Sequence, residues 1–109
     1  MLSEAIGRVR VPKRRKFSAE PFGDAIERLM NEGAITYRGL AAKTGLSAGY
    51  LNHLVHGNRP VPSDDVIKKL SDALGVEPEH FREYRLRTIT EQLEQMPDLV
   101  DRLYKRLTA

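Results

Sequence analysis

Apolar residues recur at helical spacing along most of this chain, and glycines, prolines and capping residues punctuate them. Phe22, Ala25, Ile26, Leu29 and Met30 follow the i, i+3, i+4, i+7, i+8 pattern of one helix face. Ser18 is the expected N-cap of this first helix, with Glu20 in the first turn, where the helix dipole favours an anion. Phe17 and Phe22 then stand at hydrophobic-staple spacing, and Pro21 is tolerated in the first turn. Asn31-Glu32-Gly33 ends the helix. Residues 36 to 57 read as two short helices hinged at Gly45. Thr36 caps the first, and Leu40 and Ala41 face its partner. Ser47 caps the second, whose apolar positions are Leu51, Leu54 and Val55, and Gly57 stops it. Asn58-Arg59-Pro60-Val61-Pro62 is a loop, because two prolines in three residues exclude a regular helix. Ser63 caps the next helix, with Asp64 and Asp65 in its first turn and Val66, Ile67, Leu70, Ala73 and Leu74 as its stripe, up to Gly75. Val76 and Phe81 are expected to plug the core, and Pro78 opens another helical turn. Beyond Glu79 the pattern stays helical but thinner: Leu86, Ile89, Leu93, Met96, an interruption at Pro97, then Leu99, Val100, Leu103, Tyr104 and Leu107.

Two helices of about two turns each bury little alone. They make sense in a compact bundle that holds the second helix out from the body. A helix-turn-helix unit does this and lays its second helix in the DNA major groove.

The length of 109 residues suits one domain, and 40% hydrophobic residues support a modest core. Cysteine is absent, which excludes a disulfide framework and a cysteine-based zinc site and fits a reducing cytoplasm. No apolar run approaches about 18 residues, so no membrane partner is expected, and the N-terminus is basic rather than an apolar signal core. The net charge of +3 hides an asymmetry. Residues 1 to 17 carry Arg8, Arg10, Lys13, Arg14, Arg15 and Lys16 against Glu4, for 6 − 1 = +5; residues 18 to 109 carry twelve basic and fourteen acidic groups, for 12 − 14 = −2. Nucleic-acid affinity would therefore come from local charge placement plus the arm. Lys13, Arg14, Arg15 and Lys16 are either a solvated tail or an arm that tracks phosphates or a narrow minor groove; their place just before the first helix favours the arm.

Leu40-Ala41, Gly45-Leu46-Ser47, Tyr50-Leu51, Leu54, Gly57-Asn58-Arg59-Pro60, Ile67, Leu70, Ala73-Leu74-Gly75-Val76 and Phe81 together resemble the Cro/C1-type (Xre) helix-turn-helix family of bacterial and phage regulators. The resemblance covers residues 34 to 83. It implies an all-α fold, a compact five-helix lambda-repressor-like domain over residues 18–83. A basic arm over residues 1–17 would precede it, and a helical extension over 84–109 would follow. It implies double-stranded DNA as partner. Base-edge contacts would fall to Ala48, Gly49, Asn52 and His53 of a recognition helix at about 47–56. Phosphate contacts would fall to Thr36, Tyr37, Arg38, Ser47, His56, Asn58 and Arg59. Two departures matter. Tyr37 stands where the family often has Gln, and Ala48 and Gly49 are small where it often has Gln or Arg. Neither can make bidentate bonds to a base, although Ala48 could touch a thymine methyl. Readout then rests on Asn52, His53, the arm or DNA shape.

Other chemistry is thin. His53 and His56 approach ligand spacing, but a zinc site needs further ligands, so no metal and no cofactor are expected. Asp64 and Asp65 are adjacent, point about 100° apart on a helix and serve a cap rather than a reaction. Tyr50 reads as a half-buried prop for the recognition helix. No nucleophile-base-orienter set and no phosphate-cradling glycine loop is present, so the chain is not expected to be an enzyme. Leu99, Val100, Leu103, Tyr104 and Leu107 either fold back onto the domain or form a dimer surface. A core already filled by four or five helices favours the dimer. The expected function is a cytoplasmic, nucleoid-associated transcriptional regulator that reads an inverted repeat as a homodimer. The rival is a protein-interaction module, such as an antitoxin or adaptor, with secondary DNA binding.

Overall fold

The computed structural model describes residues 17–109, and the expected arm contacts Lys13, Arg14, Arg15 and Lys16 lie outside the described residues. The described residues are all helical: α1 (Phe22–Glu32), α2 (Tyr37–Thr44), α3 (Ala48–Val55), α4 (Asp64–Leu74), a 3₁₀ turn (Pro78–His80), α5 (Arg82–Leu93) and α6 (Pro97–Thr108). Residues 18–83 thus hold four α-helices and the 3₁₀ turn, and α5 runs through the expected boundary at 83/84.

Three helices begin on hydroxyl caps. Thr36 Oγ1 accepts from Gly39 N at 3.0 Å, Ser47 Oγ from Tyr50 N at 3.0 Å, and Ser63 Oγ from Val66 N at 3.5 Å. Each satisfies a backbone donor that the helix cannot. The core gathers Phe22, Ala25, Ile26, Leu29 and Met30 of α1 with Leu40, Leu51, Leu54, Val55, Ile67, Leu70, Leu74 and Phe81. Phe22 and Phe81 meet with ring centroids 4.9 Å apart. Tyr50 and Val76 pack against this core from the half-buried shell, as expected.

The start of α1 differs from the sequence expectation. The helix begins at Phe22, with Pro21 as N-cap and no side-chain cap bond. Ser18 is buried outside the helix, where its hydroxyl accepts from Glu20 N at 3.0 Å and donates to Glu20 Oε1 at 2.9 Å. A side-chain bond two residues on is a local turn that competes with helix formation. With the start moved to Phe22, the staple does not form. Phe22 turns into the core, while Phe17 lies half exposed under the Arg85 guanidinium, 4.5 Å from the ring centroid. The missing cap is supplied from far away: Phe22 N donates to Glu83 Oε2 at 3.3 Å.

The C-terminal hairpin is attached by polar contacts and by Tyr84 of α5, which packs half-buried against the core. Neither α5 nor α6 holds a buried residue. Arginines on α5 donate to backbone carbonyls instead. Arg82 reaches Ala19 O at 3.2 Å, and Arg85 reaches Ser18 O at 2.8 Å and Glu79 O and His80 O at 2.9 Å each. Arg87 reaches the loop before α4. Helix α6 packs on α5.

Candidate nucleic-acid interface

The interface is built on α2, the turn 44–47 and α3. Gly45 ends α2 at φ 78°, in the left-handed region where a Cβ is unfavourable, and its N–H donates to Ala41 O at 2.8 Å. Thr44, buried beside it, donates to Leu40 O at 2.8 Å and accepts from Leu46 N at 3.2 Å. These bonds lock the angle between the two helices. α2 packs on α3 and α4, and α1 packs on α3.

The α1–α3 contact depends on a glycine that helical periodicity does not single out. A Cβ on Gly23 would stand 2.6 Å from both Leu54 O and Val55 O. The first turn of α1 therefore lies directly on the last turn of α3. With Leu51, Leu54 and Val55 buried, α3 is held by its inner face.

Its outer face is polar and open. Gly49, Asn52, His53 and His56 are exposed, as are Thr36, Arg38, Ser47, Asn58 and Arg59; Ala48 and Tyr37 are half-buried. Of the expected base readers, Gly49, Asn52 and His53 thus share the solvent face of α3, and Ala48 is half-buried. Thr36 and Arg38 lie at the start of α2, and Asn58 and Arg59 follow α3. Tyr37 packs against the core, so its ring props α2. Thr36 and Ser47 use their oxygens as caps, which leaves each hydroxyl hydrogen available to a phosphate oxygen. His56 Nδ1 donates to Asn52 O at 2.8 Å. Its Nε2 therefore becomes a donor only in the imidazolium form. By contrast, the side chains of Arg38, Asn52, His53, Asn58 and Arg59 form no hydrogen bond or ion pair among the described residues.

The distribution of charge is a second signal, present in the sequence but independent of the helix pattern. Residues 33 to 63 contain no Asp or Glu, although the chain has 15 of them, and carry Arg38, Lys43 and Arg59. The helix-turn-helix segment is therefore +3 within a body of net −2. Apart from Glu4 and Glu20, which precede α1, the acids sit on α1, on α4 and in the C-terminal half. A segment without carboxylates adds no repulsion of its own toward a phosphate backbone, and the carboxylate beside it is Glu27 of α1, which lines one hollow with Thr36 and Tyr37.

No group of acidic, histidine or cysteine side chains that could hold a metal ion occurs among the described residues, and no described helix is long and apolar enough to cross a membrane.

A capped helix held by its inner face, with uncommitted polar groups outside and a preceding helix locked across it, defines the helix-turn-helix class. A family model for this motif, described as helix-turn-helix, matches residues 26–81. The chain belongs to the Cro/C1-type helix-turn-helix family. The HTH-type transcriptional repressor RghR of Bacillus subtilis (strain 168) is 37% identical over 57 residues, which cover 52% of this chain and 42% of that relative. The chain thus aligns with less than half of the relative's length. No solved structure gives a significant match.

Proposed function

We propose that this protein is a sequence-specific DNA-binding transcriptional regulator that acts in the cytoplasm on nucleoid DNA. The observation that carries the reading is the solvent face of α3. Asn52 and His53 are exposed and uncommitted there, inside a segment with no carboxylate. Asn can make bidentate bonds to adenine, and His53 can reach a neighbouring base edge. Thr36, Arg38, Ser47, Asn58 and Arg59 flank them, suited to phosphate contacts that fix register rather than sequence. Ala48 and Gly49 add close approach, with Ala48 suited to a thymine methyl. The role needs no catalytic step. The similarity to a transcriptional repressor supports the reading for the aligned domain.

The protein acts as a homodimer joined through the C-terminal hairpin. Val100, Tyr104 and Leu107 of α6 are 39%, 67% and 79% exposed, and Leu86, Ile89 and Met96 are exposed as well. Leu99 and Leu103 are half-buried. Val100, Tyr104 and Leu107 recur at helical spacing on α6, and soluble monomers rarely leave such a stripe in water. The charges of α6 suit a two-fold contact: Asp98 and Asp101 lie in its first half, Lys105 and Arg106 in its second, and Arg102 at the middle. An antiparallel partner helix sets each acidic half beside a basic one. Two recognition helices about 34 Å apart would then read an inverted repeat.

Selection of bound duplexes from a random pool, followed by sequencing, tests the reading. An inverted-repeat consensus is the expected result. Failure to retain any duplex at low salt would overturn it in favour of a protein-interaction module.

A further inference from the structure

We propose that Arg87, on α5, is a positioning residue for the DNA-contacting loop 57–62; the proposal rests on the DNA-binding reading above. The loop connects α3 to α4, and Pro60 and Pro62 deprive it of two backbone donors. The loop has no backbone hydrogen bond that closes residues 59–62 on themselves. Its first end is fixed by the backbone: Gly57 adopts φ 76°, and Asn58 N donates to His53 O at 2.8 Å. Its second end is fixed from a distance. Arg87 Nη1 donates to Pro62 O at 2.7 Å and to Asp64 Oδ1 at 3.0 Å, and Nη2 donates to Val61 O at 3.1 Å. One planar guanidinium so gathers two consecutive carbonyls and a carboxylate in the first turn of α4. A lysine ammonium lacks that fork.

Between the two anchors stand only Arg59 and Pro60. Arg59 and Asn58 are exposed and uncommitted, and they are the loop's means of touching a phosphate. A long side chain on a free loop gives up much of its binding energy to ordering. Holding Val61 and Pro62 removes that cost before DNA arrives. Arg87 thereby acts through Arg59 without touching DNA. It also ties the DNA face to the helix that carries Leu86 and Ile89 of the apolar surface.

The test is a double-mutant cycle on the full chain, read by fluorescence anisotropy on a labelled random-sequence duplex across a salt series. The four proteins are wild type, Arg59→Ala, Arg87→Ala and the double variant. Arg59→Ala is expected to lower the slope of log K against log salt by about 0.9, the value of one neutralised phosphate. Arg87→Ala should lower it by a similar amount, and the double variant no further than Arg59→Ala alone. Additive reductions would mean that Arg87 meets DNA itself or acts elsewhere, and an unchanged slope in Arg87→Ala would mean that the loop needs no clamp. Either overturns the proposal. If Arg87→Ala loses its helical circular dichroism, Arg87→Lys, which keeps the charge without the fork, is read in the same cycle. A wild-type slope in that lysine variant also overturns the proposal. Arg38→Ala serves as the reference on α2. If it and Arg59→Ala both leave binding intact, the DNA reading itself fails, and the Arg87 result is not the cause.

Discussion

Helices α1 and α6 carry nearly the same sequence pattern and end in opposite states. In α1 the stripe Phe22, Ala25, Ile26, Leu29, Met30 is buried against the rest of the domain. In α6 the stripe Leu99, Val100, Leu103, Tyr104, Leu107 has no buried member. The difference is what each helix meets. α1 lies on α3, against which Gly23 allows close approach, while α6 packs on α5, which is itself held to the body by arginine–carbonyl bonds and the half-buried Tyr84. An amphipathic stripe says that a helix needs an apolar neighbour. It does not say whether that neighbour belongs to the same chain.

Removing one leucine from each region should have the largest and most unequal effects. Leu51→Ala, under the recognition helix, should destabilise the protein by about 2–5 kcal/mol in urea melts, because the site is fully closed. Leu107→Ala should leave the urea midpoint of dilute monomer unchanged. Equal effects would mean that α6 belongs to the core. Gly23→Ala tests the α1–α3 packing through the backbone. Its methyl must displace α1 from α3, so melting temperature and DNA affinity should fall together.

The hairpin is probed next by charge. Leu103→Asp combined with Leu107→Asp should keep the helical circular dichroism and convert a dimer to monomer in sedimentation at micromolar concentration. A wild type that sediments as a monomer, with or without DNA, would remove the dimer and leave the apolar face unexplained.

Smaller effects are expected on the DNA face. Asn52→Ala and His53→Ala should each cost about 1–3 kcal/mol on the selected site and relax preference at particular base positions. Arg38→Ala should weaken all duplexes alike. Equal weakening on selected and random DNA for Asn52→Ala and His53→Ala would remove them as base readers. Deletion of residues 1–16 should flatten the salt slope by about 0.9 for each phosphate that the arm neutralises; an unchanged slope would exclude the arm from the complex.

The smallest expected effect lies at the start of α1. Burial pushes the Glu20 carboxyl up, but hydrogen bonds from Arg28 and Ser18 and the Arg28 charge outweigh it and hold the group below its ordinary value. Arg28 Nε stands 2.7 Å from Glu20 Oε1. A carboxyl depressed in the folded state stabilises the fold above its unfolded pKa, and that contribution disappears as pH falls through the folded value. Glu20→Gln should therefore narrow the drop in stability between neutral and acidic pH. The change should be slight, because both partners remain partly in water. An unaltered acid limb of the stability profile would show that the pair contributes nothing.

Much of the domain was legible in the residues themselves. Helix periodicity, Thr36, Ser47 and Ser63 as caps, Gly45 and Gly75 as left-handed stops and the loop at Pro60 and Pro62 all act within a few residues. Short-range geometry alone determines them, and the solvent face of α3 followed from its buried one. The tertiary structure decided the rest, because it rests on groups distant in sequence. The cap of α1 came from Glu83, 61 residues from Phe22. The need for glycine at 23 came from the last turn of α3, and the clamp on the loop came from Arg87. The fate of the α6 stripe followed from the few apolar neighbours within its reach. Hydrogen bonds and van der Waals forces act only between touching groups, and only the folded chain brings such partners that close.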